Sequence, residues 1–466
     1  MFGKRLFPGG IHPREGANGK AVNSGNAIRD LAAPKRVTIP LSQHIGAPAK
    51  PIVEKGERVL VGQKIAEAGG FVSAPVHASV SGRVVEIGTA PMPSGLRVPA
   101  IVIDNDFQDE WVELHPAEHP ETLDAKQMQQ LIREAGIVGM GGATFPTQVK
   151  LTPAAGKTIE KLIINGAECE PYLTADHRLM LEKPSEIIDG VHLLMLAFGV
   201  GEAVIGVENN KPDAIAALTA ACRGTDGIRV QGLPVRYPQG GEKQLIYAIT
   251  KRVVPSGGLP IDVGCVVMNV GTVLAVDEAV RLGKPLVQRV TTVGGEVNNP
   301  HNFRVRIGTP VISLLEACGG LKPGVIKLIS GGPMMGMTID DIEVPITKGF
   351  SGLLALGPES AEPEESASIR CGRCMRACPM QLPPVRMDQF VRAERYDDAV
   401  SVGLMNCIEC GACTFVCPAK RLLTQSFRMG KRMVNVRRAE AKAIAEKQAK
   451  EKEAQDARQQ AEGKEG

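Results

Sequence analysis

The sequence predicts a multidomain chain of mixed α/β and α+β class. Three observations carry that expectation. Apolar strand-like runs alternate with helical periodicities over residues 115–285, the pattern of a parallel sheet covered by helices. Glycine-punctuated, β-rich stretches lie before and after that region. Beyond an acidic linker, seven of the eleven cysteines crowd into residues 367–427.

Taken in order, residues 1–35 form an N-terminal extension in which GGIHP (9–13) marks a tight turn and His12 reads as a structural histidine. Residues 36–110 contain KGERVLVGQKIAEA and VSAPVHASVSGRV. Their hairpins with glycine at the turns predict a barrel-sandwich hybrid like that of lipoyl and biotinyl carriers. The hairpin tip is Ala68-Gly69-Gly70. No lysine stands there to carry a swinging arm, so the domain reads as structural or docking.

Residues 115–285 form the α/β domain. Met128, Leu131 and Ile132 predict a helix over 124–135. The loop GIVGMGGATFPTQVKL follows at 136–151. Gly139, Gly141 and Gly142 permit close backbone approach, so the loop could cradle a phosphate on its N–H groups or be only a turn. It is not a dinucleotide fingerprint, because a helix rather than a strand precedes it. LIIN predicts a buried strand ending at Asn165, and Glu168 and Glu170 lie at its exit. These two are the candidate catalytic carboxylates; surface acids are the alternative. Further segments read as helix 184–198, strand 204–210, helix 212–222 and a strand–turn–helix over 265–280.

Residues 286–350 predict short strands and one helix, a β-grasp-like domain, and 351–366, with PESAEPEES, a linker. In 367–427, Cys407, Cys410, Cys413, Cys417 and Pro418 spell C-x2-C-x2-C-x3-C-P, the signature of a [4Fe–4S] site. Thirty-nine residues earlier, Cys371, Cys374, Cys378 and Pro379 repeat the last three thiols, with Ser368 in the first place. In two-cluster ferredoxins the fourth cysteine of each run serves the other cluster. That exchange groups Cys378 with Cys407, Cys410 and Cys413, and groups Cys417 with Cys371, Cys374 and Ser368. The first set predicts a [4Fe–4S] cluster. The second predicts a [3Fe–4S] cluster, a Ser-ligated [4Fe–4S] or a labile site; CxxC pairs also bind zinc. Helical spacing over 385–402 makes this an α-helical ferredoxin module. Residues 428–466 hold eleven Lys/Arg and seven Asp/Glu with almost no apolar stripe, a charged tail that is helical or disordered.

Composition excludes some functions. The net charge of +3 resides in the tail, and aromatic residues make up 3%, which argues against a nucleic-acid stacking platform. No apolar run is long enough to span a bilayer and no signal peptide is evident. Clustered cysteines predict a reducing compartment rather than a disulfide framework, with Cys222, Cys265 and Cys318 as buried apolar residues.

Together GGIHP (9–13), VSAPVHASVSG (72–82), GMGGATFPTQVK (139–150), NGAECEPYLTADHR (165–178), YPQGGEKQL (237–245), GGPMMG (331–336) and the cysteine runs resemble the RnfC component of the Rnf electron-transport complex over nearly the whole chain. The core is similar to the flavin-binding subunit of respiratory complex I. The resemblance implies a complex-I-flavoprotein-like FMN domain and an SLBB-like β-grasp. It implies that Gly139, Gly141, Gly142 and Lys150 hold the FMN phosphate and that Phe145 stacks on the nucleotide. It further implies that Asn165, Gly241, Glu242, Asn269 and Thr272 contact flavin, with Glu168 and Glu170 near flavin and nicotinamide. Ala167 and Met140 stand where complex I has Asp and Arg, and Ser368 where the family has Cys.

The implied function is NADH oxidation through non-covalent FMN to two iron–sulfur clusters. The setting is a membrane-bound, ion-translocating NADH:ferredoxin oxidoreductase. The implied partners are the other proteins of the complex, above all a ferredoxin-like iron–sulfur subunit. The implied location is peripheral, on the cytoplasmic side of the inner membrane. A flavin-free electron-transfer protein and a related cobalamin reductase are the competing readings.

Overall fold

Four short parallel strands carry the central domain. Lys161–Gly166 lies between Ala203–Glu208 and Cys265–Asn269, and Ile228–Leu233 flanks Ala203–Glu208 on the outside. Ala203–Glu208 is buried at every position, as a strand covered on both faces must be. Alternation assigns the side chains: Leu162 and Ile164 join the larger core, while Ile163 faces Leu245 and Ile246 of the helix Glu242–Thr250. Helices Pro184–Phe198 and Val270–Leu282 pack together against the larger core.

The chain leaves Lys161–Gly166 towards one side, then returns to its other side as Cys265–Asn269. The order therefore reverses between these two strands, whose carboxyl ends stand together with Asn165 paired to Asn269. In open α/β sheets a crevice for ligand opens at such a reversal. The computed structural model describes residues 7–13, 19–152, 156–360 and 364–462, and side chains only as far as 449. Parts of the extension, the linker and the tail thus lie outside the described residues. The chain divides into two units, Met1–Glu362 and Pro363–Gly466.

Within the first unit, two sheets form the N-terminal sandwich. One runs Arg36–Pro40, Arg97–Asn105, Gly82–Pro91, Arg58–Val59, and the other Lys50–Pro51, Lys64–Glu67, Val76–His77. Val37, Ile39, Ile65, Val84, Ile101 and Ile103 are fully buried in it. A six-stranded grasp sheet follows, ordered Arg29–Asp30, His301–Arg306, Gln288–Gly295, Gly352–Leu356, Lys327–Ser330, Met337–Ile339. One boundary is corrected here. Gly352–Leu356, inside the stretch read as a linker, is an interior strand buried at every residue. The extension supplies the edge strand Arg29–Asp30. In addition, His12 is exposed rather than buried as a structural histidine would be.

The second unit is helical: Arg373–Ala377, Pro384–Arg392, Tyr396–Ser401, Ala412–Phe415 and Leu423–Glu462. The segment 385–402 is two helices, parted where Glu394 adopts φ 55°. Met387, Val391, Tyr396, Leu404, Leu423 and Phe427 form the core. The tail is helical from Leu423 to Glu462. Among the described residues no helix is long and apolar enough to cross a membrane.

Candidate functional site

The glycine loop closes one wall of the crevice. Gly139 N–H donates to the Phe145 carbonyl at 2.8 Å and Met140 N–H to Thr272 Oγ1 at 2.9 Å. Thr272 is buried near the start of the helix Val270–Leu282, so the loop hangs from that helix. Gly141, Gly142 and Ala143 are exposed at its tip, and Gly142 takes φ 64°. Among the described residues nothing accepts a hydrogen bond from their N–H groups. An exposed run of free N–H donors at a left-handed glycine is a nest for an anion, so the loop fits a phosphate. A Cβ on Gly141 would stand 3.5 Å from Asn269 Nδ2, so the loop lies directly against the strand end.

Several of the sequence-predicted residues shape the crevice through internal bonds. Asn165 Nδ2 donates to the Gly240 carbonyl at 2.8 Å, tying the strand end to the turn before Glu242–Thr250. Gly241 is the N-cap of that helix and Glu242 its first residue. Asn269 caps Val270–Leu282 through Gly271 N–H at 2.8 Å and donates Nδ2–H to Asp176 Oδ2 at 2.7 Å. Lys150 Nζ donates to the Val267 carbonyl at 2.8 Å and pairs with Glu242 at 3.5 Å. Phe145 is half-buried beneath the loop.

The two carboxylates part company. Glu168, at φ 44°, accepts from the N–H groups of Asp176 (2.8 Å) and His177 (3.1 Å), and so caps the helix Ala175–Glu182. Glu170 accepts from Tyr237 Oη–H at 3.2 Å and from Met334 N–H at 3.1 Å. Burial pushes Glu170 up to about 7. The grasp domain's GGPMMG turn lies so close that a Cβ on Gly332 would fall 2.2 Å from Glu170 Oε2. Burial, and then the Glu168 charge, also raise Asp176.

Sequence reasoning missed the groups that hold this turn. Lys211, fully buried with Glu208, donates to the Ala167 carbonyl at 2.7 Å. Lys20, from the extension, donates to the Glu168 carbonyl at 2.6 Å. Only the alternating acids of AECEP hinted that nearby cations would be needed; neither lysine carries a local motif.

In the second unit the thiols ring two cavities. Cys378, Cys407, Cys410 and Cys413 line one. Ser368, Cys371, Cys374 and Cys417 line another. The crossing of Cys378 and Cys417 follows from the helices Arg373–Ala377 and Ala412–Phe415 packing together. Burial pushes Cys407 up to about 11 and Cys410 to about 12. Four thiolates in such a cavity need a cationic centre to hold them, and an all-sulfur donor set suits iron–sulfur. Backbone N–H groups of Leu382 and Glu409 point at Cys378 Sγ (3.3 Å) and Cys407 Sγ (3.4 Å). Ser368 Oγ accepts from Arg370 N–H at 3.3 Å, and Cys371 is exposed.

Family models match the chain in sequence order. They are an RnfC barrel-sandwich hybrid domain over 5–108, a Nuo51 FMN-binding domain over 132–278, an SLBB domain over 290–338 and a 4Fe-4S dicluster domain over 369–422. Fold and sites thus define a flavin-domain and iron–sulfur electron-transport protein.

Full-length relatives specify it further. The chain is 49% identical over 398 residues to the C component of the proton-translocating ferredoxin:NAD(+) oxidoreductase complex of Clostridium ljungdahlii, covering 85% of this chain and 86% of that one. It is 45% identical over 441 residues to the C component of the Na(+)-translocating ferredoxin:NAD(+) oxidoreductase complex of Acetobacterium woodii, covering 93% and 98%. It is 43% identical over 436 residues to the C component of the ion-translocating oxidoreductase complex of Rhodobacter capsulatus, covering 92% and 83%. The chain belongs to the RnfC family of the ion-translocating oxidoreductase complexes.

Proposed function

We propose that the chain is the NADH-oxidising input subunit of an ion-translocating NADH:ferredoxin oxidoreductase, binding FMN non-covalently in the crevice and two iron–sulfur clusters in its second unit. The observation that carries this reading is the meeting, at one strand-order reversal, of a free N–H nest and a carboxylate turn. When bound, FMN supplies two-electron hydride acceptance with single-electron release, and the clusters supply one-electron steps.

The residues then have distinct tasks. The N–H groups of Gly141, Gly142 and Ala143 bind the phosphate, with Gly139 and Met140 anchoring the loop through Phe145 and Thr272. Asn165, Asn269, Gly241 and Glu242 set the crevice walls, Lys150 adds positive charge, and Phe145 supports the nucleotide. Glu170 faces the nicotinamide nucleotide, steered by Tyr237 and Met334. Glu168 holds the adjoining helix end in place. Cys378, Cys407, Cys410 and Cys413 hold one [4Fe–4S] cluster; Cys371, Cys374 and Cys417, with Ser368, hold the second, of four or three irons. The other proteins of the complex, a ferredoxin-like iron–sulfur subunit among them, take the electrons onward. The chain sits peripherally on the cytoplasmic face of the inner membrane.

The test is flavin, iron and sulfide quantitation on the purified chain, with visible and EPR spectra before and after NADH. Bound FMN, together with NADH-driven bleaching of flavin and cluster bands, is expected. Clusters without flavin and without bleaching would overturn the assignment.

A further inference from the structure

We infer that Lys20, delivered by the N-terminal extension, is a positioning residue for Glu170, the carboxylate that faces the nicotinamide nucleotide: it clamps the Glu168–Leu173 turn and sets the charge environment of Glu170. The inference rests on the proposed NADH-oxidising function and adds to it a residue that lies outside the flavin-type domain altogether.

The geometry is specific. Lys20 begins the helix Lys20–Ser24, and its Nζ donates to the carbonyls of Glu168 (2.6 Å) and Leu173 (2.8 Å). These two carbonyls bracket Glu170. Between them the backbone bends through left-handed conformations at two residues with side chains, Glu168 (φ 44°) and Tyr172 (φ 68°). Such conformations persist only where surrounding contacts hold them. One ammonium tying both ends of the turn is such a contact.

The clamp is itself anchored. Asn23 Nδ2 donates to the Val293 carbonyl at 3.1 Å, Arg178 Nη1 to the Ser24 carbonyl at 3.1 Å, and Ile28 N–H to Glu182 Oε1 at 2.9 Å. The next residues pair with the grasp sheet as its edge strand. The extension is thus stitched to both the α/β domain and the grasp domain, and Lys20 is carried on that stitched segment.

Charge adds a second effect. Glu170 is faced by Tyr237 Oη–H and the Met334 N–H, by the Lys20 cation, and by the Cys169 thiol, which burial holds neutral near 12. Beyond these lie the buried Glu208–Lys211 pair and the carboxyls of Glu168 and Asp176. Lys20 favours the ionised forms of Glu170, Asp176 and Glu208 alike. Removing it takes away one of the two lysines, Lys20 and Lys211, that face these four acids.

The experiment compares wild type, Lys20→Met and Lys20→Arg as full-length chains with flavin and clusters bound. It measures NADH-to-ferricyanide turnover against pH and amide hydrogen exchange over residues 167–174. For Lys20→Met we expect unchanged flavin and iron content and a KM for NADH raised about tenfold with kcat less affected. The rising limb of the pH profile should move up by about one unit, because an attractive charge near a carboxyl is gone. Exchange should quicken in 167–174 and nowhere else. Lys20→Arg should recover most of each effect. If Lys20→Met does not accumulate, Lys20→Gln keeps N–H donors without charge and should still show the pH shift. An unchanged KM, pH limb and exchange pattern in a folded variant would overturn the inference, as would an Arg variant no better than Met. Wild type that lacks NADH turnover would instead defeat the functional assignment on which it rests.

Discussion

Glu170 shows how one residue joins two domains. Its carboxyl accepts from Tyr237 Oη–H of the α/β domain and from the Met334 and Met335 N–H groups of the grasp domain. Burial still outweighs them and raises it from 4.5 to about 7. An acid whose folded pKa exceeds its unfolded value favours the fold when protonated. Its contribution is complete below about 4.5 and is lost as pH climbs through about 7. Denaturation midpoints of the wild type should therefore fall between pH 5 and pH 8. Glu170→Gln should flatten that fall by roughly 1–3 kcal/mol. Identical pH slopes for the two proteins would show that the carboxyl is not strained by burial. The same substitution should raise the KM for NADH, since the turn would present an amide in place of a carboxylate.

At the scale of elements, what could be read in advance depended on how local the cause was. The helix Ala125–Glu134 was legible because Met128, Leu131 and Ile132 recur at helical spacing, and Met128 and Ile132 are buried; the capping box of Asp124 and Gln127 fixes its start. The strand Lys161–Gly166 was legible as an apolar run with acids beyond it. Gly352–Leu356 was hidden because its partners, Gln288–Gly295 and Lys327–Ser330, are remote in sequence and an acidic segment adjoins it. Lys20, Tyr237 and Met334 were hidden for the same reason: each acts on the 168–173 turn through long-range contact. The cysteine repeat was the opposite case, since its register, with the exchange of the fourth cysteine known from two-cluster ferredoxins, grouped the thiols that line each cavity. Register also isolates Ser368. It lines the second cavity in the place that a fourth thiol would take. Ser368→Cys should convert a three-iron EPR signal into a four-iron one; a spectrum that does not change would mean that another ligand already completes that cluster.

For the whole molecule, the division at Glu362 separates two kinds of chemistry. The hydrophobic clusters respect it. Those built on Leu162, Ile163 and Phe303 draw only on the first unit, and the cluster around Met387 and Phe427 only on the second. A unit that buries its own core has what it needs to fold alone. The crevice, its glycine nest, Glu170 and the Lys20 clamp all belong to the first unit, and all seven motif cysteines to the second. A chain ending at Glu362 should accordingly fold, retain FMN in near-stoichiometric amount and show NADH-driven bleaching of its flavin band, with no iron or acid-labile sulfide. Its slow step should then be reoxidation, because the one-electron acceptors have been removed while hydride donation is untouched. Ferricyanide, which takes single electrons directly, should restore turnover. A truncated chain that folds but binds no flavin would place part of the flavin site in the second unit and refute this division of labour.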